Sequence, residues 1–366
     1  MASNGCGLVQ LRQSYQLEDM YGMNYGYRSG LNASMVEHLC AKVERILATG
    51  VLRDGDLVID IGSNDATTLK AYPQGRFELV GVDPTGVKFA SYYPPQIRLI
   101  ADFFSSALLK EGKIARRARV ITSFSMFYDL ESPVAFMRDV ERALDDDGLW
   151  VFEQSYLPAM LDANSFDTVC HEHLEFYSLK QIEWMARETG LKIVDVEFNA
   201  VNGGSFSITA AKAASKHAPK TALIKAVLDE ERRRGLDGVQ PFAQLAARMA
   251  ESKSELVSFL ERARAEGKKV MGLGASTKGN VLLQYFGITE SLVSCIGEVN
   301  PDKFGCFTPG SLIPIRPESE VLNERPDYLL VLPWHFRPFF EGLETMAGRR
   351  LVFPLPRFEI VPVSAV

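Results

Sequence analysis

Aliphatic runs that stop on an acid or a glycine, each followed by a stretch of helical length, recur along this chain. The first is Asp56-Leu57-Val58-Ile59-Asp60-Ile61-Gly62. Phe77 to Asp83 is the second, and Arg98 to Asp102 repeats the ending more weakly. Ala118 to Ser123 and Leu149 to Glu153 complete a set of five. Such alternation predicts a parallel sheet with helices on both faces and ligand sites at the carboxyl ends of the strands. Leu191–Val196 and Ser205–Ala211, around Asn202-Gly203-Gly204, read as an added strand pair. Residues 215–266 are rich in Ala, Leu, Lys, Arg and Glu at helical spacing and read as two helices broken at Gly235–Pro241. A second α/β array then begins at Lys269 to Gly274 and continues through Leu292 to Glu298 and Tyr328 to Leu332.

At 366 residues, two domains are the default expectation. The net charge of -6 argues against a nucleic-acid groove, because phosphate backbones demand basic excess. Five scattered cysteines, an odd number, suit a reducing compartment better than a disulfide framework. No run is long and apolar enough to span a bilayer, and no secretory signal opens the chain. A cytoplasmic protein with no membrane partner is the expectation.

Asp60-Ile61-Gly62-Ser63-Asn64-Asp65 stands at the first strand-to-helix turn, where small residues let backbone approach a ligand and free N–H groups face it. It lacks the G-x-G-x-x-G spacing of dinucleotide folds. Asp83 closes the second strand, at the position that accepts hydrogen bonds from ribose hydroxyls. Asp102 closes the third, where an adenine would lie. Either acid alone is equally a loop former or helix cap; three acids in register point to a nucleoside-type cofactor.

The other concentration of chemistry is Cys170-His171-Glu172-His173-Leu174-Glu175-Phe176-Tyr177. Its residues alone leave three readings open. Metal binding is weak, because the spacing is not that of a helical zinc motif and further ligands cannot be named. Buried histidines with satisfied hydrogen bonds are the second reading. Acid/base catalysis is the third.

Several blocks together carry a resemblance. They are Tyr25-Gly26-Tyr27-Arg28-Ser29-Gly30, the turn at Asp60–Asp65, Ala101-Asp102-Phe103-Phe104, Cys170-His171-Glu172-His173-Leu174 and Gly203-Gly204-Ser205. Gly272-Leu273-Gly274-Ala275-Ser276-Thr277-Lys278-Gly279-Asn280 and Glu298-Val299-Asn300-Pro301-Asp302-Lys303-Phe304-Gly305 follow in order. The chain resembles, over nearly its whole length, the nucleotide-sugar C-methyltransferases of deoxysugar pathways, which are class I enzymes using S-adenosylmethionine.

That resemblance implies a class I methyltransferase Rossmann-like sheet plus a smaller C-terminal Rossmann-like α/β domain. It implies an arm at 1–36, a cofactor domain at 37–212, a helical connection at 213–266 and a substrate domain at 267–366. The cofactor would be held by Tyr25, Tyr27, Ser29, Asp60, Gly62, Ser63, Asn64, Asp83, Asp102, Phe103 and Phe124. A nucleotide-linked keto-sugar would be the partner, deprotonated beside its ketone by His173. Glu172 would orient the sugar, His171 would support, and Tyr128 would donate to the oxygen. Glu153, Cys170, Ser205, Ser276, Lys278, Asn280, Glu298 and Asn300 would contact substrate; Trp334 and His335 follow the last strand on the same side.

Two departures bear on the acceptor. Cys170 stands where relatives carry tyrosine, and Phe127-Tyr128-Asp129 occupies the loop where they carry a histidine. Relatives also open with a four-cysteine zinc module, of which only Cys6-Gly7-Leu8-Val9-Gln10-Leu11 remains, with Ser3 in another cysteine's place; no metal is expected. O- or N-methylation of a related metabolite is one alternative, and a nicotinamide-dependent oxidoreductase using the later Gly-rich turn is another.

Overall fold

The computed structural model describes residues 6–16, 20–21 and 25–364. Ser3 and the arm residues 22–24 lie outside them. The chain forms two compact units: residues 1–157 with 171–237, and residues 158–170 with 238–366.

The first unit is built on strands β2 Leu57–Ile61, β3 Glu78–Val82, β4 Ile97–Ile100, β5 Ala118–Phe124, β6 Leu144–Ser155, β8 Leu191–Asn199 and β9 Ser205–Lys212. They lie in the order β4-β3-β2-β5-β6-β9-β8. β4 through β6 run parallel, while β9 is antiparallel to both β6 and β8. β2 is buried at all five positions, as a strand covered on both faces must be. The chain order reverses between β2 and β5, so the crevice for a ligand opens at their carboxyl ends. The result is a seven-stranded mixed sheet, as the resemblance implied.

Outside that sheet, β1 Val9–Gln10 pairs antiparallel with β7 Glu175–Phe176. The arm is thereby tied to the segment immediately after the histidine motif. Helix Ala33–Ala48 is capped by Asn32, whose side chain accepts from Ser34 N at 3.0 Å. This cap leaves Ser34 inside the first turn of the helix.

The second unit carries β10 Val270–Leu273, β11 Ile296–Glu298, β12 Ile315–Pro317, β13 Tyr328–Val331, β14 Arg350–Phe353 and β15 Glu359–Pro362. Their order is β12-β11-β10-β13-β14-β15, parallel except for β15. Gly274 adopts φ +79, and a Cβ there would sit 2.7 Å from the Pro333 ring. Only glycine fits this turn out of β10.

The boundary between units falls inside the helical connection expected at 213–266. Helix Thr221–Arg233 packs on the first unit, where buried Glu231 caps the helix Leu179–Glu188. Its carboxylate accepts from Leu179 N at 2.6 Å and Lys180 N at 3.0 Å. Helix Gln240–Ala265 instead buries Leu256, Phe259, Leu260 and Ala263 in the core of the second unit. Two neighbouring amphipathic helices thus serve different cores. Residues 158–170 also join the second core, through Phe166, rather than the cofactor domain the sequence placed them in.

Candidate active site

A cavity of about 410 Å³ opens over the carboxyl ends of β2, β3 and β5. Ten of the residues expected to hold the cofactor line it: Tyr25, Tyr27, Ser29, Asp60, Gly62, Ser63, Asn64, Asp83, Phe103 and Phe124. Asp102 does not. Its carboxylate caps Phe103 N at 2.9 Å and meets Lys113 at 3.1 Å in solvent. The turn after β4 brings the apolar Phe103, rather than the acid, to the cavity.

The turn at 62–65 is held by its own side chains. Gly62 has φ +70, and a Cβ there would press on Met126 at 3.2 Å. Asp83 accepts from Asn64 N at 2.7 Å and from both the amide and the hydroxyl of Thr85 at 2.7 and 2.6 Å. Ser63 Oγ lies 2.7 Å from Tyr93 Oη. Asp60 is fully buried and accepts from Thr122 Oγ1 at 2.5 Å. Burial pushes its carboxyl up to about 7, against the opposing hydrogen bonds from Thr122 and Thr68.

The arm is clipped to this turn. Asn64 Oδ1 accepts from Ser29 N at 3.0 Å, and its Nδ2 donates to Tyr27 O at 3.1 Å. Asp65 Oδ2 accepts from Gly30 N at 3.1 Å, and Lys88 donates to Tyr25 O at 2.7 Å. The tyrosine-rich segment therefore forms a wall of the cavity.

The histidine motif lies in the same unit, and the fold brings it to the loop after β5. The His173 ring sits 4.3 Å from that of Tyr128, tilted by 56°. An aromatic cluster sets this approach. Phe127 packs at 5.3 Å on Phe152 of β6 and at 5.3 Å on Tyr177, four residues beyond His173. Tyr15 of the arm donates to Glu172 O at 3.1 Å. Glu172 is half-buried, and burial raises its carboxyl, opposed by the nearby His171 charge. His171 is exposed, with its Nε2 3.8 Å from Glu172. The structure thus brings together Tyr128 and His173, the two residues for which the roles of donor and base were expected.

Glu153 and Ser205 are engaged elsewhere. Glu153 Oε1 meets His38 Nε2 at 2.5 Å, and Oε2 meets Lys42 Nζ at 2.7 Å and Asn199 Nδ2 at 2.8 Å. The desolvation of Glu153 is outweighed by His38 and Lys42, and its carboxyl titrates below the usual range. Ser205 donates to Val201 O at 2.9 Å in the turn before β9. Sequence reasoning passed over Tyr21, Ser125, Met126 and Asp129, all of which line the cavity. The loop position of Phe127-Tyr128-Asp129 was the available signal, but it had pointed to Tyr128 alone.

In the second unit, Ser276 caps helix Thr277–Phe286, accepting from Gly279 N at 3.0 Å. Lys278 is partly buried, and the desolvation lowers its ammonium pKa; Asp167 and Cys170 oppose that shift. Asp167, fully buried, accepts from Trp334 Nε1 at 2.7 Å and Ser165 Oγ at 2.9 Å. His335 is pushed down to about 3 by burial and by Lys278. Cys170, Lys278, Trp334 and His335 therefore share one environment, with Asp167 as the unforeseen member. Asn280 Oδ1 is buried without a partner. Glu298, by contrast, is filled by backbone: it accepts from Ala275, Val299 and Asn300 N at 2.9, 2.8 and 3.0 Å. Asn300 caps the following turn. No helix among the described residues is long and apolar enough to cross a membrane.

Comparison with known proteins agrees with this layout. Residues 31–196 match the profile of a methyltransferase domain, and residues 200–356 that of a C-methyltransferase C-terminal domain. The chain is similar to the C-methyltransferase NovU of Streptomyces niveus, at 30% identity over 98% of this chain and 86% of that protein. Among solved structures, it is similar to a putative methyltransferase in complex with the Haloferax volcanii Trm112 activator. That match has 14% identity and TM-score 0.40 over 50% of this chain and 94% of the other. The CcbJ methyltransferase of Streptomyces caelestis matches with 14% identity and TM-score 0.37, over 47% and 89%.

Proposed function

The chain belongs to the S-adenosylmethionine-dependent C-methyltransferases, and from that premise we propose that it methylates a carbon beside the ketone of a nucleotide-linked keto-deoxysugar, with His173 as base. Membership removes the oxidoreductase reading and sets C-methylation above O- or N-methylation. The residues of the cavity suit the cofactor: a glycine turn at positive φ, an acid ending β3 for the ribose, and aromatic walls from Tyr25, Tyr27 and Phe103. When bound, the cofactor supplies an electrophilic methyl group on its sulfonium.

The observation that carries the proposal is the pairing of His173 with Tyr128. A carbon nucleophile requires removal of a proton alpha to a carbonyl and stabilisation of the oxygen that gains charge. An imidazole is a competent base near neutral pH, and a phenol is a competent donor to that oxygen. Glu172, whose carbonyl accepts from Tyr15, would orient a sugar hydroxyl. In the second unit, Lys278 with Ser276 and Asn280 at the start of one helix suits an anionic group.

The test is hydrogen exchange in D2O, with S-adenosylhomocysteine bound and a nucleoside-diphosphate-linked 4-keto-6-deoxyhexose as probe. The intact protein should wash deuterium into the alpha carbon, and His173→Ala should not. Exchange by the variant at the wild-type rate would remove His173 as base. Failure of the wild-type protein to bind the probe would remove the sugar.

A further inference from the structure

Asp129 sits in the loop after β5 and lines the cofactor cavity. One of its oxygens, Oδ2, accepts from Tyr21 Oη at 2.9 Å. The other, Oδ1, is buried with no hydrogen-bond partner. A buried carboxyl oxygen without a donor costs stability, and natural structures rarely leave one so unless a ligand completes it.

The order of groups along the cavity indicates which part of a ligand completes it. Phe103 follows β4, Asp83 ends β3, Gly62 and Ser63 follow β2, and Ser125, Met126 and Asp129 follow β5. The aromatic wall and the ribose-type acid occupy the β4–β3 end. The β5 end is left for the remainder of the cofactor, its amino-acid portion. That portion carries an ammonium, a three-proton donor of opposite charge to an ionised Asp129.

We propose that Asp129 is a cofactor-binding residue whose Oδ1 accepts a hydrogen bond from the α-ammonium of the methionyl group, with Tyr21 fixing the carboxylate from behind. This rests on the assignment of S-adenosylmethionine as cofactor and names a contact within that site. Burial holds the Asp129 carboxyl well above its ordinary range, Tyr21 opposing and the charge of Glu172 adding to it. An arriving ammonium favours the ionised form in the same place.

The test is isothermal titration of the intact protein and of Asp129→Asn with three ligands: S-adenosylhomocysteine, its analogue lacking the α-amino group, and 5′-methylthioadenosine, which lacks the whole amino-acid portion. In the wild-type protein, loss of the amino group should weaken binding at least about tenfold, as a charge-assisted hydrogen bond implies. In Asp129→Asn that penalty should shrink to about twofold or less, and 5′-methylthioadenosine should bind both proteins alike. Equal weakening of all three ligands by the substitution would mean that Asp129 only shapes the cavity, and would overturn the proposal. So would wild-type protein that binds the deaminated analogue as tightly as S-adenosylhomocysteine, a comparison that needs no variant to fold. If the wild-type protein bound none of the three, the cofactor assignment itself would fall, and the inference with it.

Discussion

Tyr128 and His173 meet ring to ring at 4.3 Å, although one follows β5 and the other precedes β7. Phe127 draws them together, because its ring packs at once on the sheet through Phe152 and on Tyr177 beyond the histidine. The candidate donor and base are therefore mounted on one aromatic cluster, and their separation is as rigid as that cluster.

Tyr128→Phe keeps the ring and removes only the hydroxyl. Under the proposed roles, kcat should fall about 10- to 100-fold while S-adenosylhomocysteine binds as before. His173→Ala should cost more, about 100-fold or above, with the same intact cofactor affinity. Steady-state kinetics beside a binding titration checks both. A Tyr128→Phe enzyme with unchanged kcat would leave that residue only a packing role.

Asn64 joins the cofactor turn to the arm through two hydrogen bonds and has φ 50. Asn64→Gly removes the clip without adding strain, since glycine tolerates that backbone. Two lost hydrogen bonds of about 1 kcal/mol each correspond to a roughly tenfold or greater loss of affinity for S-adenosylhomocysteine. Calorimetric titration reads it directly, and affinity held at the wild-type level would show that the arm closes by other contacts.

Asp60 should leave a signature in stability against pH. Its folded-state carboxyl is raised to about 7 from an ordinary value of 3.8, so folding favours the protonated form. The stability this contributes is fully present below about pH 4 and is lost as pH rises through about 7. Asp60→Asn cannot ionise, so its stability relative to wild type should improve between pH 4 and 8, by up to about 4 kcal/mol. Denaturant titrations of both proteins across that range test this; parallel curves would contradict it.

Glu153 should behave as a structural charge. It is 3% exposed and paired to Lys42, itself 7% exposed, and to His38. Glu153→Gln removes the nearer of the two carboxylates beside the buried ammonium of Lys42, leaving Glu197 at 3.6 Å, and should destabilise by about 3 kcal/mol. Its own depressed carboxyl pKa works in the opposite sense to Asp60. That stability is present above about pH 4.5 and is lost as pH falls through the lowered folded value. Urea denaturation measures the first effect. A change in acceptor KM with unchanged stability would return Glu153 to the substrate site.

Much of this was legible in the residues themselves. The strands that carry the cofactor turn announce themselves as aliphatic runs, and Gly62, Asn64 and Asp83 sit where strand endings place them. β12, β14 and β15 were not foreseen, and β12 and β15 each hold a proline, which argues against a strand. The two helices of 221–265 look alike in composition, and only the cores they meet separate them. Asp102 and Asp83 close consecutive strands with the same residue type, yet a solvent lysine holds one and the turn amides hold the other.

The sequence by itself determined the two α/β arrays, the cofactor turn, the family and the histidine motif. All of these are read from neighbours a few residues apart, where backbone sterics and side-chain periodicity act. Tertiary structure alone decided that His173 faces Tyr128, that His38 and Lys42 capture Glu153, and that Asp129 stands in the cavity with Tyr21 behind it. Those meetings join segments far apart in the chain. They follow from the order of strands in the sheet and from which aromatic rings fill the space between loops, which no local pattern encodes.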